Sequence, residues 1–104
     1  MEVRAVRYPL EVLAQLRVEE LSRVLTNNSD DWVDLGPVEG ADQAFFARRE
    51  GRTHTSEITG ETRYFLPGGE LILRRGDTVL YADYYGEQNL PDHLDAFVRT
   101  LNGL

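Results

Sequence analysis

The chain has 104 residues, 41% of them apolar, enough for the core of one domain spanning residues 1–104. Its formal net charge is −7, and it contains neither cysteine nor lysine, all eleven basic residues being arginine. These counts exclude disulfides, thiolate chemistry, cysteine-held metals and every mechanism built on a lysine, and the acidity argues against a nucleic-acid partner.

"MEVRAVRYP" alternates over Val3 to Tyr8, which predicts a short first strand at a sheet edge. Pro9 suits the first position of a helix, where its missing N–H costs nothing. The helix is expected from Leu10 to about Leu25, with Leu10, Leu13, Ala14, Val18, Leu21, Val24 and Leu25 on its apolar face. Arg17 falls on that face and is expected to snorkel to its edge. "TNNSDD" ends the helix with turn chemistry. "DWVDLG" then predicts a short extended segment carrying the single tryptophan, Trp32. Beyond the loop "GPVEGADQ", glycine and proline divide a run of strand candidates: 44–50, 52–58, 62–66, "ELILRR" and "TVLYADYY". "NLPDHLDAFVRTLNGL" closes the chain with a helix whose stripe is Leu94, Phe97, Val98 and Leu101. The expected fold is α+β in the order β-α-β(meander)-α, an antiparallel sheet with both helices packed on one face. Leu21, Leu73, Leu80, Phe97 and Leu101 are the expected core.

The hairpin around Gly76 fixes side-chain parity, because sheet faces alternate with period two. Leu71, Leu73, Leu80, Ala82 and Tyr84 share one face, expected to lie beneath the helices. Glu70, Ile72, Arg74, Val79, Tyr81, Asp83 and Tyr85 share the other. With both helices on one side, this second face must meet water, a partner or a ligand. Tyrosine and arginine are enriched at protein interfaces, so Ile72, Arg74, Val79, Tyr81, Asp83 and Tyr85 form the candidate contact surface, with a second copy of the chain the expected partner.

"VLYADYYGE", followed by a Leu-Pro-initiated helix with "LDAFVRTL", resembles an uncharacterised bacterial domain family. Members of that family end a hairpin with Val-Trp-x-Met-Asn-Tyr-Tyr-Gly before a closing helix. Val79, Tyr84, Tyr85 and Gly86 match that ending, while Leu80, Ala82 and Asp83 stand where the family has Trp, Met and Asn. The likeness covers the last third of the chain and implies the same hairpin-plus-helix ending; it implies no activity.

Catalytic constellations are sparse. His54 and Ser56 lie two residues apart on one strand, roughly 7 Å between side chains, too far for a nucleophilic dyad. His54 and Glu57 point to opposite faces, which defeats a shared metal, and neither a metal nor a cofactor is expected. "RGD" at Arg75 to Asp77 is accounted for as the hairpin turn. The remaining enzymatic reading places Asp83 among the tyrosines as a general base, with His54 across the sheet. A non-catalytic binding or assembly module is preferred to it. No apolar run reaches the ~20 residues that span a bilayer, and the first residues lack a signal-peptide core, so a cytoplasmic protein without a membrane partner is expected.

Overall fold

The computed structural model describes residues 1–86 and 90–104. Strand β1 (Glu2–Arg7) leads into helix α1 (Glu11–Asn28), which is followed by β2 (Asp31–Asp34) and β3 (Gln43–Arg49). Strands β4 (Arg52–Thr55), β5 (Thr62–Phe65), β6 (Gly68–Arg75) and β7 (Thr78–Tyr85) come next. A 3-10 turn at Leu90–His93 introduces α2 (Leu94–Asn102). Asn89, where the closing segment was expected to begin, lies outside the described residues. Every strand pairing is antiparallel, as an α+β meander requires. No helix among the described residues is long and apolar enough to cross a membrane.

The main sheet has the order β1-β7-β6-β3-β2, and β4 and β5 form a separate two-stranded sheet. The meander is therefore interrupted. β3 pairs with β6, and the intervening β4–β5 hairpin leaves the body as an arm. The reason is compositional: in "RTHT" and "TRYF" neither face offers a run of aliphatic residues to bury, so neither strand can be inserted into a two-sided sheet.

The β6–β7 hairpin forms as its parity demands, with Leu73 opposite Leu80 and Ile72 opposite Tyr81. Gly76 sits at φ 59°, the left-handed conformation its turn needs. The expectation that both helices share one face is not met. Helix α2 packs Phe97, Val98 and Leu101 on the face of Phe46, Leu71, Leu73 and Leu80. Helix α1 packs Ala14 and Val18, flanked by Leu21 and Leu25, on Ile72, Val79 and Tyr81, the opposite face. Leu21 thus belongs to a second half-core rather than to that of Leu73 and Leu80.

Chain topology dictates this. β1 and β2 are the two outer strands, so α1 must carry the chain across the whole sheet. Four inter-strand gaps of about 4.8 Å make a width of about 19 Å. An 18-residue helix is about 27 Å long, and it accommodates the difference by crossing diagonally. At its start Glu11 meets Arg74 beside the β6–β7 turn, at 3.3 Å. At its end Leu25 and Asn28 lie near Ala47, Arg49 and Glu70. The small side chains of Ala14 and Val18 set the contact line, which leaves Leu10, Leu13 and Val24, residues of the expected apolar face, exposed. Pro9 precedes the helix cap at Leu10 instead of opening the first turn. Arg17 reaches the edge of the helix and pairs with Glu20 at 3.4 Å.

Candidate contact surface at the arm end

A helix lying diagonally across a sheet leaves corners of that face bare. Among the described residues one such corner lies at the arm end, where β1 begins and β7 finishes. Register places Glu2 opposite Asp83 and Asp83 opposite Glu70, so three neighbouring strands present carboxylates in one row on the α1 side. Arg4 occupies the next row on β1, its guanidinium 4.8 Å from the centre of the Tyr81 ring. Arg49 on β3 stands at the other end. A cleft of about 380 Å³ opens here, lined by Glu2, Arg49, Glu70, Asp83 and Tyr85 among others. Half-burial raises the Glu70 carboxyl above its ordinary value, and the neighbouring Asp83 charge adds to the rise against Arg49 and Arg4. The row is short of positive charge.

The six residues expected to form one open face separate into two groups. Ile72, Val79 and Tyr81 are buried beneath α1. The Tyr81 hydroxyl lies 2.9 Å from that of Tyr8, and burial followed by this hydrogen bond pushes its pKa up to about 12. Arg74 is also buried. It donates to Gln43 Oε1 and the Gly76 carbonyl, and forms ion pairs with Glu11 and Asp42. Arg74 is an internal clamp joining the β6–β7 turn, α1 and the start of β3. The physical reason for the correction is the same in each case: α1 covers the middle of the face that was expected to be open. Asp83 and Tyr85 remain exposed, Tyr85 by 73%. Glu2 and Arg4 are not singled out by the sequence, Arg49 is so only as one of the arginine pair 48–49 able to meet an anionic group, and Glu70 is on the correct face by parity. Only the pairing of β1 with β7 brings Glu2 beside Asp83.

The arm projects from the same end. Its strands pair with each other alone, Arg52 opposite Phe65 and His54 opposite Arg63. Arg52, His54, Arg63 and Phe65 therefore share one arm face, and Thr53, Thr55, Thr62 and Tyr64 the other. The Thr55 and Thr62 hydroxyls bond at 2.9 Å across the latter. At the root, Arg52 donates to both oxygens of Asp30 at 3.0 and 2.9 Å. Ile58, Tyr64, Phe65 and Leu66 are 96, 62, 52 and 59% exposed. His54 stands on the arm, in a different sheet from Asp83, and so does not face it across the sheet as the enzymatic reading required. No cluster of His, Asp and Glu among the described residues has the arrangement of a metal site.

Comparison of the chain with protein-family models, with curated proteins and with solved structures gives no match.

Proposed function

We propose that this chain is a non-catalytic binding and assembly module, and that its contact surface is the arm end: the β4–β5 arm together with Asp83 and Tyr85 on the bare corner. One observation carries the reading. The arm holds four large apolar side chains more than half exposed, with no second layer over either of its faces among the described residues. A lone two-stranded hairpin is marginally stable at best in water, and a docked partner would supply the missing layer. The test is site-specific photo-crosslinking in living cells. A photoreactive residue at position 64 or 85 should give a defined protein adduct, and one at Val24 on the exposed side of α1 should not. No adduct from either arm-end position would overturn the proposal.

A second reading has its own support in the pairing of Glu70 with Asp83. Two carboxyls side by side, one of them raised, can divide a proton between an acid and a base role. Under this reading the cleft takes a small ligand, and Asp83→Asn together with Glu70→Gln abolishes its binding. If candidate ligands leave the carboxyl resonances of Glu70 and Asp83 unmoved, this reading fails.

A further inference from the structure

We infer that the bare corner is the docking site for the arm of a second copy of the chain, the two copies exchanging arms reciprocally. This rests on the contact surface proposed above and names its partner. The argument is complementarity of charge and shape between two parts of one molecule. The corner is a row of three carboxylates with the exposed Tyr85 ring beside it. One arm face, and only one, carries Arg52, His54, Arg63 and Phe65; the other carries threonines and Tyr64. Of the two arginines on this face Arg63 is the less committed: its contact with Glu61 is 3.8 Å long, whereas Arg52 is held by both oxygens of Asp30. Laid on the corner, Arg63 meets Asp83 and Glu70, Phe65 covers Tyr85, and Arg4 and Arg49 offer the counter-charge for Glu61.

Among the described residues no arm side chain is ion-paired or hydrogen-bonded to Glu2, Glu70 or Asp83 of its own copy. Both oxygens of Asp30 hold Arg52, and Asp30 lies where α1 enters β2, at the sheet edge opposite β1. Tyr64 lies against the root as well, its hydroxyl filling the space a side chain on Gly51 would need. The arm is thereby turned toward the β2 side of its own body. The arm root and the corner nevertheless share one end of the molecule: Gly68 pairs with Tyr85, and the Gly86 N–H donates to the Pro67 carbonyl at 2.7 Å. A two-fold axis at that end therefore presents each arm to the other copy's corner and makes two equal contacts, the isologous arrangement of a closed dimer. Reach is sufficient. Four-residue strands extend about 14 Å, and the carboxylate row is about 10 Å wide.

The experiment uses the purified full chain. Sedimentation velocity across a concentration series should show a dimer. Arg63→Glu should weaken it roughly tenfold or more, and so should Asp83→Arg. The two substitutions combined should restore much of the loss, because each arm again meets an opposite charge. The chain has no native cysteine, so Arg63→Cys and Asp83→Cys proteins can be mixed and oxidised, which should yield a covalent heterodimer. That second measurement stands even if a charge-reversal variant folds poorly. A wild-type protein that stays monomeric at millimolar concentration overturns the inference. So does a dimer in which neither the charge exchange nor the disulfide forms. If the protein is monomeric yet crosslinks from position 64 to a different protein in cells, arm exchange fails while the proposed function stands.

Discussion

Ile72→Ala separates a sheet covered on both faces from one covered on a single face. Ile72 is 1% exposed and lies under α1 against Ala14 and Val18. Truncation removes its γ and δ carbons, about 2.4 kcal/mol at about 0.8 kcal/mol per buried carbon. The void is bounded by sheet backbone on one side and a helix on the other, neither free to collapse, so a cavity term adds to this and the total falls within ~2–5 kcal/mol. For a chain of this size the transfer part alone lowers the melting temperature by about 10–20 °C. Urea unfolding followed by far-UV circular dichroism, on protein dilute enough to be monomeric, measures the change. Ile58→Ala at the arm tip, 96% exposed, is the control and should change stability by no more than about 0.5 kcal/mol. If the two variants unfold at the same urea concentration, α1 does not cover this face and the reasoning fails.

Glu70→Gln should raise the melting temperature of the protein at neutral pH and low concentration. The native carboxyl is raised above its ordinary 4.5, so between that value and the higher native one the folded state holds the proton longer, and stability falls as pH rises through the window. The advantage of Gln should vanish below about pH 4, where both states are protonated, and a melting series from pH 3 to 8 measures it. An ultraviolet titration should find one tyrosine ionising near 12, with stability intact below pH 10 and lost as pH climbs toward 12; Tyr8→Phe should move that midpoint only partway back, since burial is the larger cause. Tyr84→Phe should stabilise the protein by about 1 kcal/mol in urea unfolding, because the Tyr84 hydroxyl is buried without a hydrogen-bond partner among the described residues.

Local pattern carried the elements and the pairing of the last hairpin. The alternation of "ELILRR" and "TVLYADYY" around Gly76 assigns each of their side chains to its correct face, because a turn and a two-residue period settle parity without reference to the rest of the chain. What covers each face is a question of strand order, and strand order is not local. β1 reads as an edge strand, but nothing near β2 marks it as the opposite edge, and it is that pair of placements that sends α1 across the face of Ile72 and Val79. The helix itself gave little help. Leucine and valine lie on several of its sides, and the residues that meet the sheet most closely are Ala14 and Val18, smaller than the exposed Leu10 and Leu13. The arm does not read as one: residues 52–58 and 62–66 are expected as strands of the meander, and the division into a threonine face and an arginine–histidine face follows only from their pairing. The corner was legible least: Asp83 and Tyr85 were placed on the correct face, but the row needs Glu2, which only β1–β7 pairing supplies.

The edge-to-edge course of α1 also has a consequence for synthesis on the ribosome. β1 is made first, yet Ala5 pairs with Leu80 and Val6 with Val79. At about 5–20 residues per second its partner strand is translated on the order of 4–15 s later. During that interval an alternating strand with valines on both sides of its backbone waits with both edges open, the condition under which nascent chains stick to one another. Glu2, Arg4 and Arg7 interrupt it at its start, its middle and its end. In the finished protein two of these charges frame the corner; in the unfinished one they keep an orphan strand soluble until β7 arrives.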